Sequence, residues 1–347
     1  MTQKNGLWLV RSILILIMLT GCTAKEAHRE KPLEVMPEKI QIGMSFDTFV
    51  LERWLRDRDI FVSTTMELGA EVNVQNANGD AAEQLRQVKY LIDKGMDAIV
   101  VVAVDTGDEE LAGLLRRAKE MGIVIVCYDR LLENAGTDLY ISFDNKKVGE
   151  LMAEAVLSQI PEGGRIAAIF GPDTDTNAAY VSEGVREVLA NNNQRLVYEN
   201  KALGWKEEFA FEYVNECLEQ VGEVEAIICG NDALASMALK ALAENQKADG
   251  VCIVGQDADI LACQRIVEGH QHMTVYKPIN TLAKRAAQYT VDLIKGKAVK
   301  ANTTIDDATR QIPFECLAPI AVTKDNIDKV IIDAQFHFRE EVYLHVD

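Results

Sequence analysis

The stretch AIVVVAV at residues 98–104, followed after a helix-length interval by VIVCYD at 124–129 and then by LYISFDN at 139–145, decides the fold. Each is an uninterrupted apolar run closed by a polar residue, as expected of a strand buried on both faces of a parallel sheet. The interval from Asp108 to Met121 has a helical pattern, and parallel strands need such a crossover. Upstream, the same alternation runs through EVNVQN (71–76), with a helical stretch from Asp80 to Lys94, and IQIGMSF (40–46), with one from about Phe49 to Met66. Downstream it repeats as RIAAIFG (165–171), RLVYENK (195–201), AIICGND (226–232), VCIVGQDA (251–258) and MTVYKP (273–278). About ten strands exceed one ordinary doubly wound sheet, so the expected architecture is α/β, two similar doubly wound parallel-sheet lobes.

Composition narrows the partners. The 347 residues hold 36 Lys+Arg against 54 Asp+Glu, a formal charge of −18, which argues against the run of phosphate contacts that nucleic-acid binding requires. Seven Cys form no CxxC pair and no zinc spacing with the five His. Cys127, Cys217, Cys229, Cys252, Cys263 and Cys316 fall mostly in apolar runs and read as small buried hydrophobes. No metal and no cofactor are expected.

Residues 1–21 read as a signal peptide. Lys4 and Arg11 give a basic start, Ser12 to Leu19 an apolar run, and Leu19-Thr20-Gly21-Cys22 resembles a bacterial lipobox, which implies cleavage before a lipidated Cys22 and a membrane anchor. Arg11 interrupts the run, leaving it far short of the ~20 residues of a membrane-spanning helix. Residues 22–38 are polar and aperiodic, a tether.

The strand ends collect polar residues: Asp47, Asp129 and Arg130, then Asp173, Asp175 and Asn177, Asn231 and Asp232, Asp257, and Lys277. Phe46, Trp54, Trp205 and Tyr276 lie near them in sequence. Ligands of such sheets bind outside the carboxyl ends of the strands. Carboxylates, amides and cations beside flat apolar faces suit a sugar, whose hydroxyls donate and accept while its C–H faces pack on aromatic rings. Taken singly, an Asp or Asn after a strand reads equally well as the cap of the next helix.

The segments FDTFVLERWLRDRDIF (46–61), VQNANGD (74–80), CYDRLLENAGTDLYISFDNKKVGEL (127–151), CGNDALA (229–235), VGQDADI (254–260) and MTVYKPI (273–279) resemble the D-xylose-binding proteins of bacterial sugar transport. The resemblance covers about residues 39–335 and implies the type I periplasmic-binding-protein fold, two lobes joined by three crossovers that close on a sugar. It implies ligand contacts by Phe46, Arg53, Trp54, Asp129, Arg130, Asp175, Asn177, Trp205, Asn231, Asp257 and Lys277, with Trp54 and Trp205 sandwiching the ring. LGW at Leu203–Trp205 and CGND at Cys229–Asp232 depart from the family's DGW and SND, leaving the contact residues intact. By the same resemblance the crossovers fall near Phe143-Asp144-Asn145, Ile279-Asn280 and Phe314-Glu315. That gives a first lobe of 39–144 plus 280–313, a second of 145–279 plus 314–335, and an extension, 336–347, with no pocket role.

Other motifs fail on their chemistry. Asp173, Asp175 and Asn177 match the start of a calcium loop, but Ala178 and Gly184 stand where the turn glycine and the bidentate Glu belong. His270 and His272 lack a third ligand. No GxGxxG follows the first strand, and there is no Walker loop or GxSxG elbow. The resemblance assigns the carboxylates to sugar binding and nothing marks one as proton donor and another as nucleophile, which implies a binding protein, with a glycosidase or sugar isomerase as the enzyme alternative. The function expected is an extracytoplasmic, lipid-anchored receptor handing D-xylose or a related monosaccharide to a membrane ABC permease. The alternative is a sensory module presenting the sugar to a histidine-kinase ectodomain or a chemoreceptor. A repressor of the same fold would need a helix-turn-helix that this N-terminus lacks.

Overall fold

Continuous apolar runs become the strands of two sheets in a computed structural model that describes residues 39–346. The first sheet contains β1 (Ile40–Phe46), β2 (Ala70–Asn76), β3 (Ala98–Val101), β4 (Val124–Tyr128), β5 (Leu139–Phe143), β11 (Thr303–Asp306) and β12 (Gln311–Leu317), in the order β11-β12-β5-β4-β3-β1-β2. The second contains β6 (Ile166–Phe170), β7 (Leu196–Lys201), β8 (Ala226–Cys229), β9 (Cys252–Gln256), β10 (Met273–Tyr276) and β13 (Ile320–Val322), in the order β13-β10-β9-β8-β6-β7. Neighbours are parallel except β11 with β12 and β13 with β10. The crossovers are α1 (Glu52–Glu67), α2 (Ala81–Asp93), α3 (Glu109–Glu120), α4 (Asn145–Gln159), α5 (Thr176–Asn191), α6 (Glu208–Gln220), α7 (Asp232–Glu244), α8 (Ile260–Glu268) and α9 (Ile279–Ile294). A short α10 (Arg339–Val342) follows.

The chain leaves the first sheet after Phe143, returns through α9 after Tyr276, and leaves again after Leu317. The last change of sheet therefore falls at Ala318-Pro319 rather than near Phe314-Glu315. Phe314 to Leu317 stay in the first sheet, in register with Tyr140 to Phe143 of β5. In the C-terminal extension, Phe336 and Val342 are buried in the cluster that holds Phe46, Trp54 and Phe61 of the first lobe and Cys263 and Ile266 of α8. The six cysteines among the described residues are free thiols, Cys252 and Cys316 half-buried and the rest buried. Among the described residues no helix is long and apolar enough to cross a membrane. Cys22 and the signal segment lie outside the described residues.

Parallel pairing sends the carboxyl ends of β1, β3 and β4 to one edge of the first sheet, and those of β6, β8 and β9 to one edge of the second. Thr106, after β3, meets the loop after β6: its amide donates to the Thr174 carbonyl at 2.9 Å and its Oγ1 accepts from the Thr176 amide at 3.2 Å. The two edges thus face each other across a closed cleft.

Candidate ligand-binding site

The cleft closes on a small polar cavity between the strand ends of the two lobes. Ten of the eleven contacts expected from sequence line it: Arg53, Trp54, Asp129, Arg130, Asp175, Asn177, Trp205, Asn231, Asp257 and Lys277. Phe46 does not. It is fully buried behind Trp54, ring centroids 6.1 Å apart and edge-on, because as the last residue of β1 it points into the core. Of the other strand-end residues, Asp47 is buried on Arg130, Asp173 is at the surface paired with Lys201, and Tyr276 packs on Phe336.

Arg53 occupies the first turn of α1, where the helix dipole opposes a cation, so its place requires carboxylates. Its Nη2 donates to Asp129 Oδ2 at 2.7 Å, its Nε donates to Asp57 Oδ2 at 3.3 Å, and its Nη1 lies 3.9 Å from Asp257 Oδ1 of the other lobe. Arg130 repeats the scheme. Its Nη1 donates to Asp47 Oδ2 at 2.7 Å and to the Ala103 carbonyl at 2.8 Å, while its Nε lies 2.9 Å from Asp175 Oδ2 across the cleft. Lys277 Nζ completes the set 2.7 Å from Asp257 Oδ1. Each arginine is thus anchored in its own lobe and meets one carboxylate from the other.

Amides cross the cleft as well. Asn177 Nδ2 donates to the Asp129 carbonyl at 3.0 Å, and Asn145 Nδ2 donates to Asn177 Oδ1 at 2.9 Å, which fixes the amide's orientation. Capping and lining prove compatible. Asp175 Oδ1 caps α5 by accepting from the Asn177 amide at 3.0 Å, while Oδ2 meets Arg130 and accepts from Trp205 Nε1 at 3.1 Å. Asn231 caps α7 through the Leu234 amide at 2.9 Å and still lines the cavity.

Trp205 ends a three-residue turn and lies against two glycines. A Cβ on Gly171 would stand 2.2 Å from its ring and one on Gly230 3.1 Å, so only bare backbone leaves room for the indole. Trp54 carries the Arg53 guanidinium over its ring at 4.3 Å. Asp129, Trp205 and Asp257 all have left-handed backbones (φ 63°, 58° and 99°), costly for non-glycine residues and here gathered at one site.

Burial and countercharge set the protonation states. Burial pushes the Asp129 carboxyl up, but Arg53, Lys277 and Arg130 together outweigh it and hold it below the usual range. For Asp47 burial prevails over Arg130 and the carboxyl is raised. Asp57, sealed beneath Arg53 and accepting from the Tyr128 hydroxyl, is raised by burial to about 6. A buried ion pair is seldom the most stable filling for a core, so stability does not by itself account for this network of three cations and five carboxylates.

Sequence reasoning missed Leu51, Asn145, Ala178 and Gln256 on the wall and Asp57 behind it. Asp57 was detectable as the i+4 partner of Arg53 on one helix. Gln256 precedes Asp257 on a strand, and only the left-handed turn that follows brings both to the cavity. Trp54 Nε1 and Gln256 Oε1 are buried polar atoms with no protein partner, both from wall residues. Among the described residues no cluster of His, Cys, Asp and Glu has a metal-binding arrangement.

Two α/β lobes closing one polar, aromatic-walled cavity between their strand ends define a ligand receptor of the type I periplasmic-binding-protein fold. Residues 42–298 match the periplasmic binding protein domain. The chain is 39% identical over 309 residues to the D-xylose-binding periplasmic protein of Haemophilus influenzae, covering 88% of this chain and 92% of that one. It is 37% identical over 331 residues to the Escherichia coli protein of the same name, covering 94% and 98%. An ABC transporter solute-binding protein from Clostridium phytofermentans with bound β-D-glucose has a TM-score of 0.81 at 25% identity, over 87% of this chain and 99% of its own. The chain belongs to the periplasmic binding protein family.

Proposed function

We propose that the protein is an extracytoplasmic receptor that binds D-xylose, or a closely related monosaccharide, and delivers it to an ABC permease. The observation that carries this reading is the arginine pair, each anchored in the first lobe and each within 4 Å of a carboxylate from the second. A ligand whose hydroxyls engage Arg53, Arg130, Asp129, Asp175, Asn177, Asn231, Asp257 and Lys277 touches both lobes at once, and its affinity is the free energy by which it favours closure. The ring lies between Trp54 and Trp205. A sugar lacking one hydroxyl leaves a buried partner unpaired, which supplies discrimination. The site binds without turnover: its carboxylates are paired to cations rather than divided into a proton donor and a nucleophile.

The relatives' names and the solved neighbour with bound glucose support sugar as the ligand class and transport as the context. Attachment to the membrane through a lipidated Cys22 rests on the Leu19–Cys22 motif. Calorimetry with a panel of pentoses and hexoses tests the ligand: D-xylose gives the largest affinity, and Asp257→Ala abolishes it in a folded protein. An unchanged affinity in that variant removes the pocket assignment. Cys22→Ser is expected to move the protein from the membrane to the soluble fraction, and an unchanged membrane fraction removes the anchor. Membrane partners captured with xylose identify a permease; capture of a histidine kinase or chemoreceptor instead shifts the role to sensing.

A further inference from the structure

The C-terminal segment stays outside the cavity yet is tied to both lobes. On the second lobe Phe336 packs against Tyr276 with ring centroids 4.8 Å apart, and Gln264 Nε2 of α8 donates to the Glu341 carbonyl at 2.8 Å. From the first lobe Arg56 of α1 reaches the same segment. Its Nη1 donates to the Phe336 carbonyl at 2.6 Å, its guanidinium stands 4.5 Å over the Phe336 ring, and its Nη2 lies 3.2 Å from His337 Nδ1. The other nitrogen of that imidazole, Nε2, lies 2.8 Å from the Ala258 carbonyl. One tautomer satisfies both partners: a neutral ring whose Nε2–H donates to Ala258 and whose Nδ1 accepts from Arg56.

Both ends of this bridge lead into the cavity. Arg56 follows Arg53 and Trp54 on one helix. Ala258 follows Asp257, and the two are consecutive left-handed residues (φ 99° and 55°), a conformation that needs holding from outside. The Ala258 amide donates to Thr274 Oγ1 at 3.1 Å, and its carbonyl is held by His337.

Building on the sugar-receptor reading, we propose that His337 is a positioning residue for ligand capture, tying α1 of one lobe to the Asp257–Ala258 turn of the other when neutral and releasing that tie when protonated. An imidazolium carries a hydrogen on both nitrogens, so its Nδ1–H confronts an Arg56 N–H, donor against donor and cation against cation. The charged and hydrogen-bonding groups acting on the ring are Arg56 and Glu52 from α1, Glu341 from α10, and the Ala258 carbonyl. Burial lowers the imidazole pKa, the Ala258 carbonyl raises it, Arg56 lowers it, and Glu52 and Glu341 raise it, with the balance below the usual histidine range.

Opening the lobes withdraws Arg56 and readmits water, so the open form binds the proton more readily. Affinity is therefore full above the ordinary histidine pKa of about 6.5 and falls as pH drops through it, by at most about tenfold per unit for one proton. Burial, and for Asp259 the neighbouring Asp232 carboxylate as well, raises the carboxyls of Asp232 and Asp259, a background titration shared by wild type and variant alike.

The test is calorimetry of the full chain with D-xylose at pH 7.5 and 5.5, in wild type and His337→Gln, whose amide donates and accepts without titrating. The wild type is expected to lose affinity on acidification at least about threefold more than His337→Gln, with the two similar at pH 7.5. Reciprocity requires xylose to lower the His337 pKa in the wild type, seen as an acid-ward shift of its ring-proton NMR titration, a readout that passive packing does not produce. An equal acid loss in both proteins, or an unmoved His337 titration, overturns the inference and leaves the sugar assignment standing. If D-xylose does not bind, the same test is run with the tightest-binding sugar of the pentose and hexose panel, and absence of binding by every sugar of that panel at pH 7.5 overturns both.

Discussion

Trp54 and Trp205 line one cavity but are supported in opposite ways. Trp54 sits in the first turn of α1, only 2% exposed, in the same apolar cluster as Phe46 and Phe61. Trp205 is half-buried on a short turn with a left-handed backbone, steadied by its bond to Asp175 and by the bare backbone of Gly171 and Gly230. The first indole belongs to the core of its lobe and the second to the cleft. One wall is therefore coupled to folding, and the other to binding.

Variants separate these roles. The largest loss is expected from Arg130→Ala, which belongs to neither wall but joins them: it strands the buried carboxylates of Asp47 and Asp175. Truncating one partner of a buried, hydrogen-bonded charge pair at a binding site costs roughly 2–5 kcal/mol of affinity, so calorimetry should show xylose binding weakened about a hundredfold. Trp54→Ala should lower the unfolding free energy by about 3–5 kcal/mol, read by denaturant titration. Trp205→Ala should leave the denaturation midpoint nearly unchanged while weakening xylose binding by roughly 2 kcal/mol, about thirtyfold. If the two tryptophan variants lose stability equally, the contrast between the walls is wrong.

Gly171→Ala sharpens the same contrast. Its Cβ must displace the Trp205 ring, so affinity should fall about tenfold, roughly 1.4 kcal/mol, without the ring itself being removed. The smallest effect is expected at Thr106→Val, which deletes the interlobe bonds of Oγ1 to Thr174 and Thr176, neither of them a lining residue of the cavity. Losing about 1 kcal/mol of closed-state bonding should weaken xylose roughly fivefold through faster dissociation. Unchanged dissociation kinetics would show that this contact does not hold the cleft shut.

The central strands were legible because burial on both faces demands unbroken apolar runs, as in AIVVVAV and VIVCY. The hairpin β11–β12 and the three-residue β13 were not. Thr303 to Asp306 are largely exposed, Pro313 interrupts the next run, and their pairing with β5 and β10 depends on residues far away in sequence. The missed hairpin also moved the last crossover. At the site, capping a helix and lining the cavity are not alternatives for Asp175 and Asn231, because a carboxylate or amide has enough acceptor positions for more than one partner.

The sequence by itself determined that strands and helices alternate in two rounds, and that carboxylates, amides, cations and indoles gather after those strands, since periodicity and turn chemistry are local. The tertiary structure alone decided that Arg53 meets Asp257, that Arg130 meets Asp175, that Phe46 turns inward behind Trp54, and that Arg56 meets His337 from the far end of the chain. A charged or hydrogen-bonding group acts on whatever lies within a few ångströms in a medium that screens poorly, and that neighbour is set by how the lobes close rather than by distance along the chain.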